Sequence, residues 1–417
     1  MLLALLATTM AVVSRAPGAV ARDVVVLRGV LEAAILALLL YLLVIRELAT
    51  SRTGSIVRGR AALTLALPLT VFAILAFLTG LLRHNPPTYL YGDLYRYLKV
   101  PAVFWLSCWV LGNATRKRRE GETFLYLVAV VVTLAFAADV AIQVARYGIE
   151  NRLWTTALQF LPWVVVIVIF LLEAGWRGAK MGVFLAFMPV YVFGLWLSQS
   201  RAVIALMVLA LGFLLFARVR ARTKVATLAS ATASLFFVSA IAFNGDVLYG
   251  VRRFSLPAAR DPTNYNYYDL GSRIYELKSV ADYLTRDPVS AAVGTGMGST
   301  ITTLIADMDG VRFDATHYIH NSYAEVAYRT GVVGLALVVV FFARIRRSLR
   351  RAPRPELARA LTRALVLLVP FLVVYNFLFE NTVLYLLLGA LFVLAQDART
   401  TLAASGFPPP LPARARS

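Results

Sequence analysis

Two of the three histidines of this 417-residue chain, His317 and His320, lie three positions apart. An imidazole has an unperturbed pKa of about 6.5, so it can take a proton from a hydroxyl group near neutral pH. The alternative is a structural role, in which a histidine caps the helix predicted to follow. A zinc site would need a further ligand, and the pair has neither the His-Glu-x-x-His pattern nor a cysteine partner. The spacing therefore favours proton transfer or helix capping over metal binding.

Two arginines have sequence contexts that suit an anion site. Arg201 ends a polar tetrad, residues 198–201, between two apolar runs that leave no room for a longer loop. Arg273 opens a predicted amphipathic helix over residues 272–286, and the N–H groups at a helix start also attract phosphate. Arg253 is a nearby alternative. Each arginine could instead extend from a helix end into water, and the pattern alone leaves both roles open.

The composition predicts the medium in which these residues lie. The chain is 60% hydrophobic and only 15% charged, with a mean hydropathy of +0.73. A soluble domain would be about 45–50% apolar and about 25% charged. One membrane crossing takes roughly 20 mostly apolar residues. We therefore predict an all-α polytopic membrane protein with about 12 transmembrane helices. The apolar runs lie near residues 1–13, 26–45, 61–82, 97–113, 123–144, 153–173, 181–197, 202–217, 225–243, 323–343, 360–377 and 381–396.

The charge distribution predicts the orientation of these spans. Lysine and arginine number 42 against 22 acidic residues, a net charge of +20. The strongly basic connections all follow even-numbered spans, so the positive-inside rule places them in the cytoplasm. They lie near residues 46–60, 116–119, 218–224 and 344–354. Most of the excess charge is thus a topology signal, which argues against nucleic acid as a partner.

The connection over residues 244–322 is too long to be a simple turn, and by parity it lies outside. Loops of this length usually carry function. The predicted organisation is therefore transmembrane helices 1–9 over residues 1–243, a periplasmic loop with short helices and catalytic elements over 244–322, helices 10–12 over 323–396, and a disordered cytoplasmic tail over 397–417.

Two further patterns concern the region around the histidines. Residues 294–299 are glycine-rich but lack the Gly-Lys-Ser/Thr ending of a nucleotide loop, so a turn is the better prediction. Glu325 and Arg329 share one face of predicted span ten. Such a pair either fixes helix packing or faces a water-filled cavity, and both interpretations remain open.

A known family has the same arrangement of motifs. His320-Asn321, nine further residues and Gly331-Val-Val-Gly334 resemble the His-Asn-x9-Gly-x-x-Gly signature of the O-antigen ligase family. These are bacterial membrane enzymes related to O-antigen polymerases. The tetrad ending in Arg201 resembles the family's Ser-x-Ser-Arg element, and the segment around Arg273 is similar to its large periplasmic loop. Together these elements cover about residues 190 to 335 in the expected order.

The resemblance implies a fold like that of GT-C-like, lipid-dependent glycosyltransferases in the bacterial inner membrane, with an active site that faces the periplasm among membrane lipids. It implies transfer of an undecaprenyl-diphosphate-linked glycan to a hydroxyl of lipid A-core, without a metal or other cofactor. Inversion at the anomeric carbon is a hypothesis. Carried over by position, Arg201 and Arg273 would hold the diphosphate and His320 would act on the acceptor hydroxyl. The residues expected to bind substrate are Ser198, Ser200, His317, Asn321, Arg253, Tyr268 and Glu380.

Two other functions remain as alternatives. An O-antigen or exopolysaccharide polymerase would share the same motifs and extend one lipid-linked chain onto another. A polysaccharide-lipid transporter or flippase would also have about 12 spans and buried charges. The chain shows no two-half symmetry, and its single large external loop contains the histidine and arginine residues, which favours the glycosyltransferase.

Overall fold

A computed structural model describes residues 53–114, 118–147, 160–198, 201–243, 265–286, 288–307, 310–317, 319–350, 355–374, 378–379 and 382–404. Its elements in chain order are α1 (Thr53–Leu82), α2 (Pro87–Ala114), α3 (Arg118–Tyr147), α4 (Leu161–Glu173), α5 (Ala179–Ala186), α6 (Met188–Ser198), α7 (Arg201–Leu215), α8 (Ala221–Phe243), α9 (Tyr265–Thr285), α10 (Pro288–Val293), β1 (Ile301–Asp307), β2 (Gly310–Thr316), α11 (Ser322–Arg350), α12 (Pro355–Val374) and α13 (Thr382–Ala404). The predicted spans near 1–13 and 26–45 lie outside the described residues.

The described chain is mostly helical, and several helices are apolar enough to lie in a membrane. Four segments have the length and hydropathy of a membrane span: Leu63–Leu82, Gly121–Ile142, Ala179–Leu197 and Ser322–Arg350. Three shorter apolar helices are Leu161–Glu173, Val203–Leu215 and Val383–Leu394. This confirms a helical membrane protein, while the total of about 12 spans stays a prediction.

Two details differ from the sequence prediction. Residues 301–316 form an antiparallel hairpin, in which Ile301 pairs with Thr316 and Asp307 with Gly310, so the large loop is not purely helical. The signal for a strand in the sequence is the series of β-branched residues in β1, because such residues favour strands. In addition, α13 continues to Ala404, into the segment predicted to be disordered. The alanines and leucine of that stretch are good helix formers.

A buried aromatic cluster lies where α1, α2 and the start of α13 approach each other. The Phe72 ring stacks on Phe379 at 4.9 Å and meets the edge of Tyr97 at 5.4 Å between ring centroids. α11 packs against α1, and α2 packs against both α1 and α13. These helices hold the first turn of α11 beside α2, and His320 directly precedes that turn.

Candidate active site

His320 lies just before α11 and is held by a carboxylate from α9. Glu276 Oε2 lies 3.1 Å from His320 Nδ1, and Glu276 Oε1 accepts a hydrogen bond from the His320 backbone N–H. The Glu276 side chain is 4% exposed, whereas that of His320 is 43% exposed. A neutral imidazole that donates from Nδ1 carries its lone pair on Nε2. A neutral His320 in this arrangement accepts a proton at Nε2, on a partly exposed ring.

Asn321 starts α11 as its N-cap. Its Oδ1 accepts hydrogen bonds from the backbone N–H of Tyr323 at 2.9 Å and of Ala324 at 3.0 Å. An asparagine at this position satisfies N–H groups that have no partner within the helix. The cap fixes the direction in which the chain enters α11, and with it the position of His320. Binding of substrate by Asn321 stays a prediction.

His317 contacts other parts of the protein through both ring nitrogens. Nε2 lies 3.0 Å from Asp93 Oδ1, and Nδ1 lies 3.1 Å from the backbone oxygen of Ser299. The ring also stacks on Tyr89, with 4.5 Å between centroids. These contacts link the end of the hairpin to α2. They give His317 a structural role, and its predicted contact with substrate is untested.

Beneath the histidines lies a buried network of alternating charges. Arg329 Nε is 3.1 Å from Glu325 Oε1, and Arg329 Nη2 is 3.6 Å from Asp93 Oδ2. Arg96 completes the network, 3.6 Å from Glu325 and 3.8 Å from Asp93. The hydroxyl of Tyr97 also donates to Glu325 Oε1. Two carboxylates thus face two guanidiniums, which is the arrangement that makes buried charge tolerable. Glu325 and Arg329, for which the sequence left two roles open, therefore form a buried ion pair.

Asp93 is the centre of this network on α2. Burial opposes ionisation of its carboxyl group, but the hydrogen bond from His317, the positive charge of Arg329 and the backbone N–H of Gly298 outweigh it. Together they hold the pKa of Asp93 below its usual value, because each favours the ionised form. Asp93 therefore binds the hairpin, the glycine-rich turn and α11 as a carboxylate.

The glycine-rich segment is a tightly packed turn, as the sequence predicts. Gly294, Gly296 and Gly298 all have positive φ. A Cβ on Gly296 would lie 2.1 Å from the backbone nitrogen of Gly80, which leaves no room for any other residue. Asn85 donates to the backbone oxygens of Thr295 and Met297, at 3.0 and 2.7 Å. The turn is thus fastened to the end of α1.

The two glycines after His320 have different packing roles. Gly331 has φ +59° and ψ −154° within α11, where it produces a kink. A Cβ there would meet the backbone of Ala291 and Ala292 at 2.4 Å, so glycine lets α10 approach. A Cβ on Gly334 would lie 1.6 Å from Thr330 Oγ1 and 3.0 Å from Phe72. The Gly-x-x-Gly pattern therefore serves close packing rather than chemistry.

The other predicted site residues have side chains outside the described part of the chain. Arg201 is the first residue of α7 and Arg273 lies in α9, three positions before Glu276. Residues three apart on a helix share a face, so the backbone places Arg273 one turn from the residue that holds His320. Convergence of Arg201, Arg273 and His320 on one substrate stays a prediction. The remaining residues of this group are Ser198, Ser200, Arg253, Tyr268 and Glu380.

Most of this arrangement lies in a segment that is similar to a known protein family. The family model described as O-antigen ligase matches residues 183–339. This segment is therefore similar to the O-antigen ligase family. It contains His320, Glu276 and the backbone positions of Arg201 and Arg273, whereas Asp93 on α2 lies outside it. A comparison with curated protein sequences gives no match.

Two acidic residues that hold the histidines belong to no motif that the sequence shows. Glu276 lies in the predicted loop helix, where the apolar residues were expected to form the buried face. Of the predicted apolar face, Val280 is buried, whereas Ile274 and Leu277 are 58% and 44% exposed. The buried face of α9 instead contains Glu276 and Val280, four positions apart. Asp93 gave a weaker signal, as a carboxylate just before a predicted span.

Proposed function

We propose that this protein transfers a glycan from an undecaprenyl-diphosphate-linked donor to a hydroxyl of lipid A-core at the periplasmic face of the inner membrane. The family indicates glycosyltransferase activity of the O-antigen ligase or polymerase type. The observation that carries the proposal is His320 itself. It lies inside the matched domain, its ring is partly exposed, and a buried carboxylate holds the opposite nitrogen.

In the proposed reaction, His320 Nε2 takes the proton of the acceptor hydroxyl. The acceptor oxygen then attacks the anomeric carbon of the donor sugar, and the bond from that carbon to the phosphate oxygen breaks. The bonding electrons leave with the undecaprenyl diphosphate. Attack from the face opposite the leaving group inverts the anomeric configuration. Proton transfer from a positioned histidine contributes typically 10²–10⁴-fold to such a step.

The leaving diphosphate gains negative charge, which something must stabilise. In the proposal, the guanidinium groups of Arg201 and Arg273 stabilise this charge, because their fork geometry suits bidentate contacts to phosphate oxygens. Support comes from their backbone positions: Arg201 begins α7, and Arg273 is one turn from Glu276 on α9. Charge placed where it develops in the transition state is commonly a large contribution to catalysis.

The first prediction concerns His320. His320→Ala removes the proton acceptor, so we expect glycan transfer in proteoliposomes to fall by at least about 10²-fold. The protein should reach the membrane in normal amounts, because the Asn321 cap of α11 remains. A matched control is His84→Asn. His84 is exposed and has a positive φ of 55°, which asparagine tolerates. Normal transfer by His320→Ala would contradict the proposal.

The same assay separates the two activities of the family. Purified protein would be supplied with lipid-linked glycan donor and with lipid A-core. Consumption of the core lipid, with glycan attached to it, supports the ligase. Lengthening of the lipid-linked chains without use of core lipid would show a polymerase instead. Movement of the donor across the bilayer without any transfer would favour the flippase.

A further inference from the structure

The strongest unassigned group near the candidate site is Glu276, which neither the sequence motifs nor the family description singles out. Its carboxylate is 4% exposed and receives two contacts from one residue, the backbone N–H and Nδ1 of His320. Buried carboxylates are rare unless their oxygens have donors. Here both donors belong to the residue proposed to accept the proton.

We infer that Glu276 is the positioning residue for His320, an inference that rests on the proposed function. Through Oε2 it keeps the proton of a neutral His320 on Nδ1, so the lone pair stays on Nε2. Through Oε1 it fixes the backbone from which the ring extends. In serine hydrolases a carboxylate likewise holds the catalytic histidine in the correct tautomer and orientation, and it stabilises the imidazolium that forms.

The fold suits this role because Glu276 and His320 come from separate elements. α9 packs against β1 and α11, and Val280, four positions after Glu276, is buried in a cluster with Ile319 and Tyr328. The helix that carries the carboxylate is thus anchored to the same structure that carries the histidine. Arg273, which is proposed to bind the diphosphate, lies on the same helix. A shift of α9 would therefore displace Arg273 and Glu276 together.

Glu276 could instead serve only to hold the chain before α11. The decisive variant is Glu276→Gln, because its amide oxygen can still accept the backbone N–H of His320. Its NH₂ group, however, would donate toward Nδ1 and favour the tautomer with hydrogen on Nε2. A merely structural carboxylate should tolerate this change, whereas a positioning carboxylate should not.

We expect Glu276→Gln to accumulate and melt like the wild type, with KM for donor and acceptor within about twofold and kcat lowered by about 10²-fold or more. The control is Asp282→Asn, an exposed acid on the same helix, which should leave kcat and KM unchanged.

Wild-type kcat in Glu276→Gln, together with an inactive His320→Ala, would overturn the positioning role and leave the proposed function intact. Full activity of His320→Ala would instead overturn the proposed function. If Glu276→Gln does not accumulate, Glu276→Asp keeps the charge but withdraws it by one methylene. An intermediate kcat with an unchanged KM then supports the inference, and an unchanged kcat contradicts it.

Discussion

At the scale of single residues, the site combines a partly exposed histidine with a largely buried ion network. Glu325 and Arg329 have 0% exposed side chains, and Asp93 has 2%. Such a network rarely adds much stability over apolar packing, but removal of one partner leaves its opposite charge buried and unpaired. We infer that its value lies in geometry, because it joins α2, the glycine-rich turn and α11 at fixed positions around His317.

The residue-scale prediction concerns Asp93. Because its pKa is lowered in the folded protein, its contribution to stability is present above the unfolded value, about 3.9, and is lost as the pH falls below it. Asp93→Asn should therefore lower the free energy of unfolding at pH 7 by about 3 kcal/mol.

The measurement is thermal melting in detergent between pH 3 and pH 7. The melting temperature of the wild type should fall more steeply below about pH 4 than that of Asp93→Asn. Parallel curves for the two proteins would contradict the assignment of Asp93 as an ionised member of the network.

At the scale of elements, the described part of the long predicted loop forms a small folded layer. α9, α10 and the hairpin pack together on the first turns of α11. The kink at Gly331 lets α10 contact that helix through backbone atoms. Loops that present catalytic groups need a rigid support, and here the support is made by backbone packing at glycines.

The element-scale prediction concerns that kink. Gly331→Ala would place a Cβ 2.4 Å from the backbone of Ala292, at a φ and ψ that only glycine adopts readily. Strain of this kind costs about 1–3 kcal/mol and the overlap adds to it, so we expect a clearly lower melting temperature and weaker transfer.

Gly212→Ala is the matched control, since a Cβ on Gly212 of α7 has nothing within 4 Å. Alanine is favoured over glycine inside a helix by about 0.5–1 kcal/mol, so this control should melt at the same temperature as the wild type or higher. Equal melting of both variants would show that the kink is not required.

At the scale of the whole molecule, α11 relates the candidate site to the membrane. The helix has 29 residues, and the 19 residues that follow the kink at Gly331 extend roughly 28 Å, close to the hydrocarbon core of about 30 Å. His320 precedes one end, and Arg347 and Arg350 lie in the last turn at the other. The positive-inside rule places the arginine end in the cytoplasm. We therefore propose that the candidate site faces the opposite, periplasmic side.

Topology can be tested with the natural cysteine in place, because Cys108 is the only cysteine and is buried. Val289→Cys introduces a thiol at a 62% exposed position of α10, and Arg222→Cys introduces one at an exposed position of α8. A membrane-impermeant maleimide added to intact spheroplasts should label Val289→Cys at once. It should label Arg222→Cys only after permeabilisation, and the reverse pattern would contradict the proposed orientation.

The sequence alone determined the features that depend on local composition and spacing. The apolar runs predicted a helical membrane protein, since hydrocarbon admits few other spanning structures. The glycine content predicted the turn over residues 294–299. The spacing after His320 predicted the similarity to the O-antigen ligase family over residues 183–339, because a motif of few residues is visible without its neighbours in space. These are properties of short stretches of chain.

The tertiary structure decided which distant residues serve the histidines. Asp93 lies 224 positions from His317, and Glu276 lies 44 from His320, so no local period relates them. The hairpin was likewise decided by packing, although the β-branched residues of β1 favour a strand. A buried carboxylate is stable only where the fold brings donors to it, and those donors come from other elements. Pairing at long range is therefore the part of the site that only the folded chain determines.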